Sequence, residues 1–230
     1  MNKTLRPALA ELIGTFCFFF VGAGAICLDS TMGGKGYGLL GIALAHGLML
    51  SVMVSAFGHI SGAHFNPAVT IALAVTKKCP WANVLPYLVA QLVGGSAAGF
   101  ALKHFFPSAV DTVHLGTPAL AGDLDPLNGL LLEAILTFIL MTTIFATAVD
   151  PRGAFNKIGG FGIGLAVFGD ILVGGPLTGA AMNPARHFGT ALAAGFWENA
   201  HIYWIGPLIG AIVAAVVYNG AFLSEQDGPE

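Results

Sequence analysis

Two stretches decide the reading of this chain: Ile60-Ser-Gly-Ala-His-Phe-Asn-Pro-Ala68 and its echo, Leu177-Thr-Gly-Ala-Ala-Met-Asn-Pro-Ala185. An isolated Asn-Pro-Ala is a common tripeptide and decides nothing. Two copies at matching places of a repeated chain carry more weight. Proline is tolerated in the first turn of a helix because the N–H there has no intrahelical partner. Asparagine is a favoured residue just before that turn. Each motif therefore predicts a helix start, one running from Pro67 to about Lys77 and one from Pro184 to about Ala194. At 1.5 Å per residue each is roughly 16 Å long, about half the thickness of a bilayer core.

Working outward, six longer apolar stretches are each near the length that spans a membrane: about 7–27, 38–58, 82–103, 128–149, 159–174 and 201–223. The fifth is short before Gly174-Gly-Pro176, which predicts a break there. Ala10-Glu-Leu-Ile-Gly-Thr-Phe16 is echoed by Leu132-Glu-Ala-Ile-Leu-Thr-Phe138, and Gly95-xxx-Gly99 by Gly206-xxx-Gly210. The expected organisation is one channel domain over residues 1–230, with repeats at about 5–105 and 127–224. Each half holds an odd number of spans, so the halves face opposite ways. Inverted halves with broken helices are a way to build a site at the membrane midplane. The predicted fold class is an all-α membrane protein of six transmembrane helices and two re-entrant half-helices. The paired glycines, and Gly162-x-Gly164 inside an apolar span, read as helix packing rather than nucleotide binding.

Composition agrees. The chain is 56% hydrophobic and 9% charged, against about 25% charged in soluble domains. The net charge of −3 and the lack of a basic face exclude a nucleic-acid partner. Cys17, Cys27 and Cys79 have no metal-like or redox-like spacing, so no metal, cofactor or disulfide framework is expected. The basic start (Lys3, Arg6) before apolar Ile13–Ala25 has the outline of a signal peptide, but the second Glu-led stretch at Glu133 favours a first membrane helix. With six spans, Lys3, Arg6, Lys77, Lys78, Arg152 and Lys157 fall on one side, and Lys35 and Lys103 near the other. The positive-inside rule then places both termini in the cytoplasm.

Irregular backbone at membrane depth must be buried in protein or line a water-filled cavity. The loops before Pro67 and Pro184 can thus offer carbonyls to a file of permeant molecules, and Asn66 and Asn183 can offer amide donors. Each half-helix N-terminus carries about half a positive charge, which repels cations at the centre. Arg186, three residues after Asn183, should face a wet cavity; the alternative is a salt bridge to Asp123 or Asp125. Glu11 and Glu133 read as acceptors for backbone N–H groups of the broken loops, with a proton relay as the alternative. His59 and His64 are expected to brace the first loop. His104, His114 and His201 are expected at the surface, and His187 has no role legible in the sequence.

Gly58-His-Ile-Ser-Gly-Ala-His-Phe-Asn-Pro-Ala-Val-Thr70 and Met182-Asn-Pro-Ala-Arg-His-Phe-Gly189 resemble the aquaporin (major intrinsic protein) family, over essentially the whole chain. The resemblance implies a passive channel with a pore in each subunit of a homotetramer, and motifs Asn66-Pro67-Ala68 and Asn183-Pro184-Ala185 in the pore. It also implies a selectivity ring of His46, Ile171, Ala180 and Arg186. Water-only members typically have Phe and His at the first two ring positions, and glycerol facilitators Trp and Gly. This ring is similar to that of tonoplast intrinsic proteins and ammonia-permeable aquaporins. It should be wider, with one apolar wall, and His46 could accept from a permeant N–H. Tyr203-Trp204 is of the water type. Asp170 is expected to point away from the pore, where it could bond a loop backbone. The expected permeants are water, then ammonia and hydrogen peroxide, and the expected location is the plasma membrane. A glycerol facilitator and a proton-coupled transporter are the competing readings. No acid, base or nucleophile set points to an enzyme.

Overall fold

The computed structural model describes residues 5–33, 35–152 and 158–223. Lys3 and Lys157, two of the residues used above for orientation, lie outside them. Among the described residues six helices are long and apolar enough to cross a membrane. They are α1 (Leu5–Thr31), α2 (Gly38–Ser61), α4 (Trp81–Phe105), α6 (Pro126–Ile144), α7 (Gly159–Thr178) and α9 (Ile202–Ala221). Between them lie the short helices α3 (Pro67–Val75) and α8 (Pro184–Ala194), and α5 (Ala109–Val113) in the connection to α6. A widened π turn, Phe145–Val149, prolongs α6 and closes with the Asp150 N–H donating to the Phe145 carbonyl at 2.8 Å.

Two boundaries differ from expectation. α7 does not break at Gly174-Gly-Pro176 but runs on to Thr178. Pro176 falls in the last turn, where its missing N–H deprives one carbonyl only. The stop comes at Gly179, left-handed at φ 80°, whose N–H returns to the Gly175 carbonyl. α3 ends at Val75 rather than near Lys77, because Lys77 itself is left-handed at φ 62°.

α1 packs against α2 and α4, and α6 against α7 and α9, while α2 against α7 joins the halves. The half-helices cross over: α8 lies chiefly on α4 of the first half, and α3 on α9 of the second. Small residues permit this. A Cβ on Gly94 would stand 2.4 Å from the Leu12 carbonyl oxygen, and one on Gly210 2.0 Å from that of Ala134. Leu12 and Ala134 each follow a repeated glutamate. The contacts therefore pair Gly94 with Gly210, not Gly95 with Gly206 as the sequence spacing suggests. The same offset pairs Tyr87 with Tyr203 and Gln91 with Pro207. Leu40, Leu44, Leu48 and Val52 on α2, and Ile205, Ile209, Val213 and Val216 on α9, present apolar side chains outward, as a lipid solvent requires.

Candidate pore and constriction

The two loops share one backbone path. Gly62 and Gly179 have φ 89° and 80°, Ala63 and Ala180 52° and 45°, and Phe65 and Met182 50° and 52°. Left-handed conformation costs about 1–2 kcal/mol for a residue with a Cβ, so something must hold these loops. Glu11 and Glu133 do so. Glu11 Oε1 accepts from Ser61 Oγ at 2.6 Å and the His64 N–H at 2.9 Å. Glu11 Oε2 accepts from the Phe65 N–H at 2.6 Å and Gln91 Nε2 at 2.9 Å. Glu133 Oε1 accepts from Thr178 Oγ1 at 2.6 Å and the Ala181 N–H at 2.9 Å, and Oε2 from the Met182 N–H at 2.7 Å. Both glutamates are fully buried. Every donor to them is a loop or neighbouring group.

With its N–H groups turned to a carboxylate, each loop leaves carbonyls over. Among the described residues no backbone N–H takes those of Ala63, His64, Ala180 or Ala181. All four residues line a central cavity of about 40 Å³. About 10–15 Å³ of such water-accessible space is enough to hold one water molecule, so this cavity admits a short, narrow file. The asparagines meet there and lock the loops together. Asn66 Nδ2 donates to the Met182 carbonyl at 2.8 Å, and Asn183 Nδ2 to the Phe65 carbonyl at 2.9 Å. Their Oδ1 atoms cap the half-helices, accepting from the Ala68 and Ala185 N–H groups at 2.9 and 3.0 Å. Capping and cross-loop bonding use Oδ1 and one amide hydrogen each. The second amide hydrogen of each is left unused by these bonds.

His46, Ile171 and Arg186 line both this cavity and a wider one of about 310 Å³, so they form the neck between the two. Ala180 lines the narrow side only. His46 Nδ1 lies 2.9 Å from the Ile42 carbonyl. A carbonyl only accepts, so Nδ1 carries the proton and Nε2 the lone pair. That lone pair faces Arg186 Nη2 at 3.3 Å. The acceptor expected to serve a permeant N–H is therefore engaged by Arg186. Gly22 makes the arrangement possible, because a Cβ there would stand 2.4 Å from the His46 ring. Arg186 is 3% exposed, and its Nε and Nη1 have no partner among the described residues. The salt bridge to Asp123 or Asp125 does not form; Asp125 instead caps α6 through the Leu127 N–H at 2.9 Å.

Of the remaining histidines, His59 and His114 sit differently from expectation. His64 Nδ1 lies 3.0 Å from Thr70 Oγ1, whereas His59 is exposed on α2. His104 and His201 are exposed. His114 is half-buried, stacks on Phe196 with ring centroids 3.9 Å apart and lines the wider cavity. Asp170 is buried and lines neither cavity, and its Oδ2 has no partner, so the loop bond expected of it is not made through that atom. Sequence reasoning missed Ser61, Thr178, Tyr87, Gln91 and Gly22. The first two stand in the quoted repeat, two residues before Ala63 and Ala180, and Gln91 is a lone amide in an apolar span, a signal in itself.

Six spans, two half-helices meeting through their asparagines, and a narrow neck opening into a wider cavity make this a membrane-spanning channel built of inverted halves. The sequence matches the Major intrinsic protein (MIP) family over residues 1–218. It is 44% identical over 227 residues to the Zea mays protein named Aquaporin TIP4-4, covering 96% of this chain and 88% of that one. It is 40% identical over 229 residues to Aquaporin TIP2-1 of Arabidopsis thaliana, covering 97% and 90%. The fold matches the X-ray structure of the aquaglyceroporin from Plasmodium falciparum, with TM-score 0.84 and 23% identity over 95% of this chain and 96% of that one. The chain belongs to the major intrinsic protein (aquaporin) family; it is an integral membrane channel for passive transport, not an enzyme.

Proposed function

We propose that this chain is a water channel that also conducts ammonia and hydrogen peroxide and rejects protons and ions. The observation that carries the proposal is the neck shared by the two cavities. It has one fixed charge, Arg186, one apolar wall, Ile171, and a histidine whose acceptor is turned to that arginine. Such a ring offers donors from Arg186 but few fixed acceptors, so it does not favour water strongly over another small neutral molecule. Asn66 and Asn183, with the positive ends of α3 and α8, supply the central barrier to cations. Exclusion by half-helix dipoles and an arginine is general to aquaporin-type pores and is not particular to this chain.

The rest of the proposal concerns assembly and placement. The domain is single, with repeats over about 5–105 and 127–224, and the channel is a homotetramer with a pore in each subunit. Both termini lie in the cytoplasm, by the placement of Arg6, Lys77, Lys78 and Arg152. The TIP names of the relatives lend no support to the plasma membrane expected from the sequence.

The test is a flux panel in proteoliposomes with water, ammonia, peroxide, urea and glycerol. Water and ammonia should pass without current, and glycerol poorly. The double change His46→Phe with Ile171→His should lower ammonia flux much more than water flux. An unchanged ammonia-to-water ratio at matched protein content would remove the ring from the explanation. Stoichiometric proton uptake would favour the transporter reading.

A further inference from the structure

Behind each loop stands a histidine–tyrosine pair, but the surroundings of the two pairs are exchanged. In the first half His64 belongs to the loop and meets Tyr87 edge-on, with ring centroids 5.2 Å apart. Tyr87 Oη donates to the Ser61 carbonyl at 2.9 Å. Gln91 Nε2 donates to Thr70 Oγ1 and to Glu11 Oε2, each at 2.9 Å, and Thr70 Oγ1 also meets His64. In the second half the repeat puts Ala181 at the place of His64, His187 at that of Thr70, Tyr203 at that of Tyr87 and Pro207 at that of Gln91. The histidine has moved from the loop to the half-helix. It stacks on Tyr203 with centroids 4.7 Å apart and planes 15° apart, and Trp197 stands against it at 6.1 Å.

The polar partners have not moved with it. In the first half the histidine faces a threonine hydroxyl across the loop, with a glutamine amide beyond. In the second half the loop position across from the histidine is an alanine methyl, and the amide's place is taken by a proline ring. Neither offers a side-chain donor or acceptor. His187 and Tyr203 are fully buried. His187 Nδ1, His187 Nε2 and Tyr203 Oη have no partner among the described residues. A buried polar atom left unmatched costs about 1–3 kcal/mol, and three such atoms in two touching side chains are more than a well-packed interior tolerates. Polar atoms of this kind are the usual hosts of internal water, which makes about three hydrogen bonds to them. A neutral histidine offers one donor and one acceptor, and a phenol offers both. The pair is therefore fitted to water rather than to a cation, which Arg186 on the preceding residue also disfavours.

We propose that the buried His187–Tyr203 pair behind the second loop is a hydration site, holding ordered water in the role that the Thr70 hydroxyl and the Gln91 amide fill in the first half. The water links α8, which carries Arg186, to α9. The site is separate from the permeation file, since neither His187 nor Tyr203 lines the central or the wider cavity. It does not depend on which solute the channel carries.

The test has two arms on the full-length channel. A high-resolution experimental structure should show solvent density about 2.7–3.2 Å from Tyr203 Oη and from a His187 nitrogen. Thermal unfolding of Tyr203→Phe, His187→Phe and the double variant supplies the second arm. If water bridges the pair, Tyr203→Phe lowers Tm by about 2–4 °C, and the double variant loses less than the sum of the singles. If the atoms are merely unmatched, Tyr203→Phe raises Tm, the singles add, and the proposal fails. Absence of density at both groups in the parent channel overturns it as well. Should His187→Phe not fold, parent density and Tyr203→Phe alone decide.

Discussion

Glu11 and Glu133 occupy the same place in the two halves, yet they are supported differently. Glu11 accepts four hydrogen bonds, from Ser61, His64, Phe65 and Gln91. The first loop is further tied by Tyr87 to Ser61 and by His64 to Thr70. Glu133 accepts three, from Thr178, Ala181 and Met182, and Tyr203 makes no matching bond. Beyond the asparagine bonds that tie both loops, the first loop has Gln91, Tyr87 and His64 beside its glutamate, and the second has Glu133 and Thr178. That half also carries the fixed charge: by the repeat, Val69 stands where the second half has Arg186. The half that carries the neck's fixed charge is thus the less redundantly supported one.

The largest effect expected from this difference is on Glu133→Gln against Glu11→Gln. In each case an amide replaces a carboxylate that faces only donors, and hydrogen bonds to a charged group are worth about 1.5–3 kcal/mol each. Glu133→Gln should abolish folded, monodisperse channel, while Glu11→Gln should fold with a lowered Tm. Size exclusion and thermal unfolding of the two variants make the comparison. Equal losses would show that Gln91, Tyr87 and His64 add nothing to the first loop.

The next effect concerns function rather than stability. Arg186→Val makes the second half resemble the first at this position. Water flux should persist while the rejection of protons or small cations weakens, measured as current or proton leak in proteoliposomes. Unchanged rejection would mean that the central asparagines and half-helix dipoles suffice, and that the two halves are electrostatically closer than Arg186 makes them look.

Much of this asymmetry is hidden from the sequence. The glutamates, the asparagines and the half-helix starts are legible because they recur and because each breaks a local rule, a charge or a proline in an apolar run. Gly174-Gly-Pro176 misled for the same reason: the residues look like a break, but Pro176 falls where a helix is ending anyway. The register of α4 against α9 follows from which glycine meets a carbonyl, Gly94 with Leu12 and Gly210 with Ala134. Neighbouring glycines in the chain offer several equally good alignments, so only packing decides. His187 could not be read because its meaning depends on Ala181 and Pro207, neither adjacent to it in the chain.

A smaller effect is expected at Gln91, the residue that distinguishes the two networks. Gln91→Leu removes both donations from its amide, to Glu11 and to Thr70. The glutamate keeps its three other partners. The loss should be about 1–3 kcal/mol, read as a lowered Tm, with the ammonia-to-water ratio unchanged because Gln91 lines neither cavity. A changed ratio would tie the first-half network to the neck.

The smallest effect lies at the ends of the paired helices α1 and α6. Near the end of α1, Asp29 Oδ1 accepts from the Gly38 N–H at 2.9 Å. After α6, Asp150 is more heavily bonded. It accepts from Arg152 Nε at 3.0 Å, Arg152 Nη2 and the Arg152 N–H at 2.9 Å each, and Tyr218 Oη at 3.3 Å. Arg152 Nη2 also donates to the Phe222 carbonyl, which ties the turn after α6 to the end of α9. The Arg152 side chain and backbone hydrogen bonds hold the Asp150 carboxyl well below its usual range, at about 2. A folded-state pKa below the unfolded value of about 3.9 gives stability that is fully present above that value and lost as pH falls towards the folded one. Arg152 is half-exposed, with 46% of its side-chain surface accessible, so solvent and salt screen the pair. Asp150→Asn should therefore lower Tm slightly, and by the same amount anywhere between about pH 5 and 7. The gap between parent and variant should close only below about pH 4 and should shrink with added salt. Matched thermal scans of both proteins across that range check it. No gap, or a gap that stays the same from about pH 7 down to about pH 3, would mean that the turn after α6 is held by Tyr218 and Phe222 packing, with the carboxylate incidental.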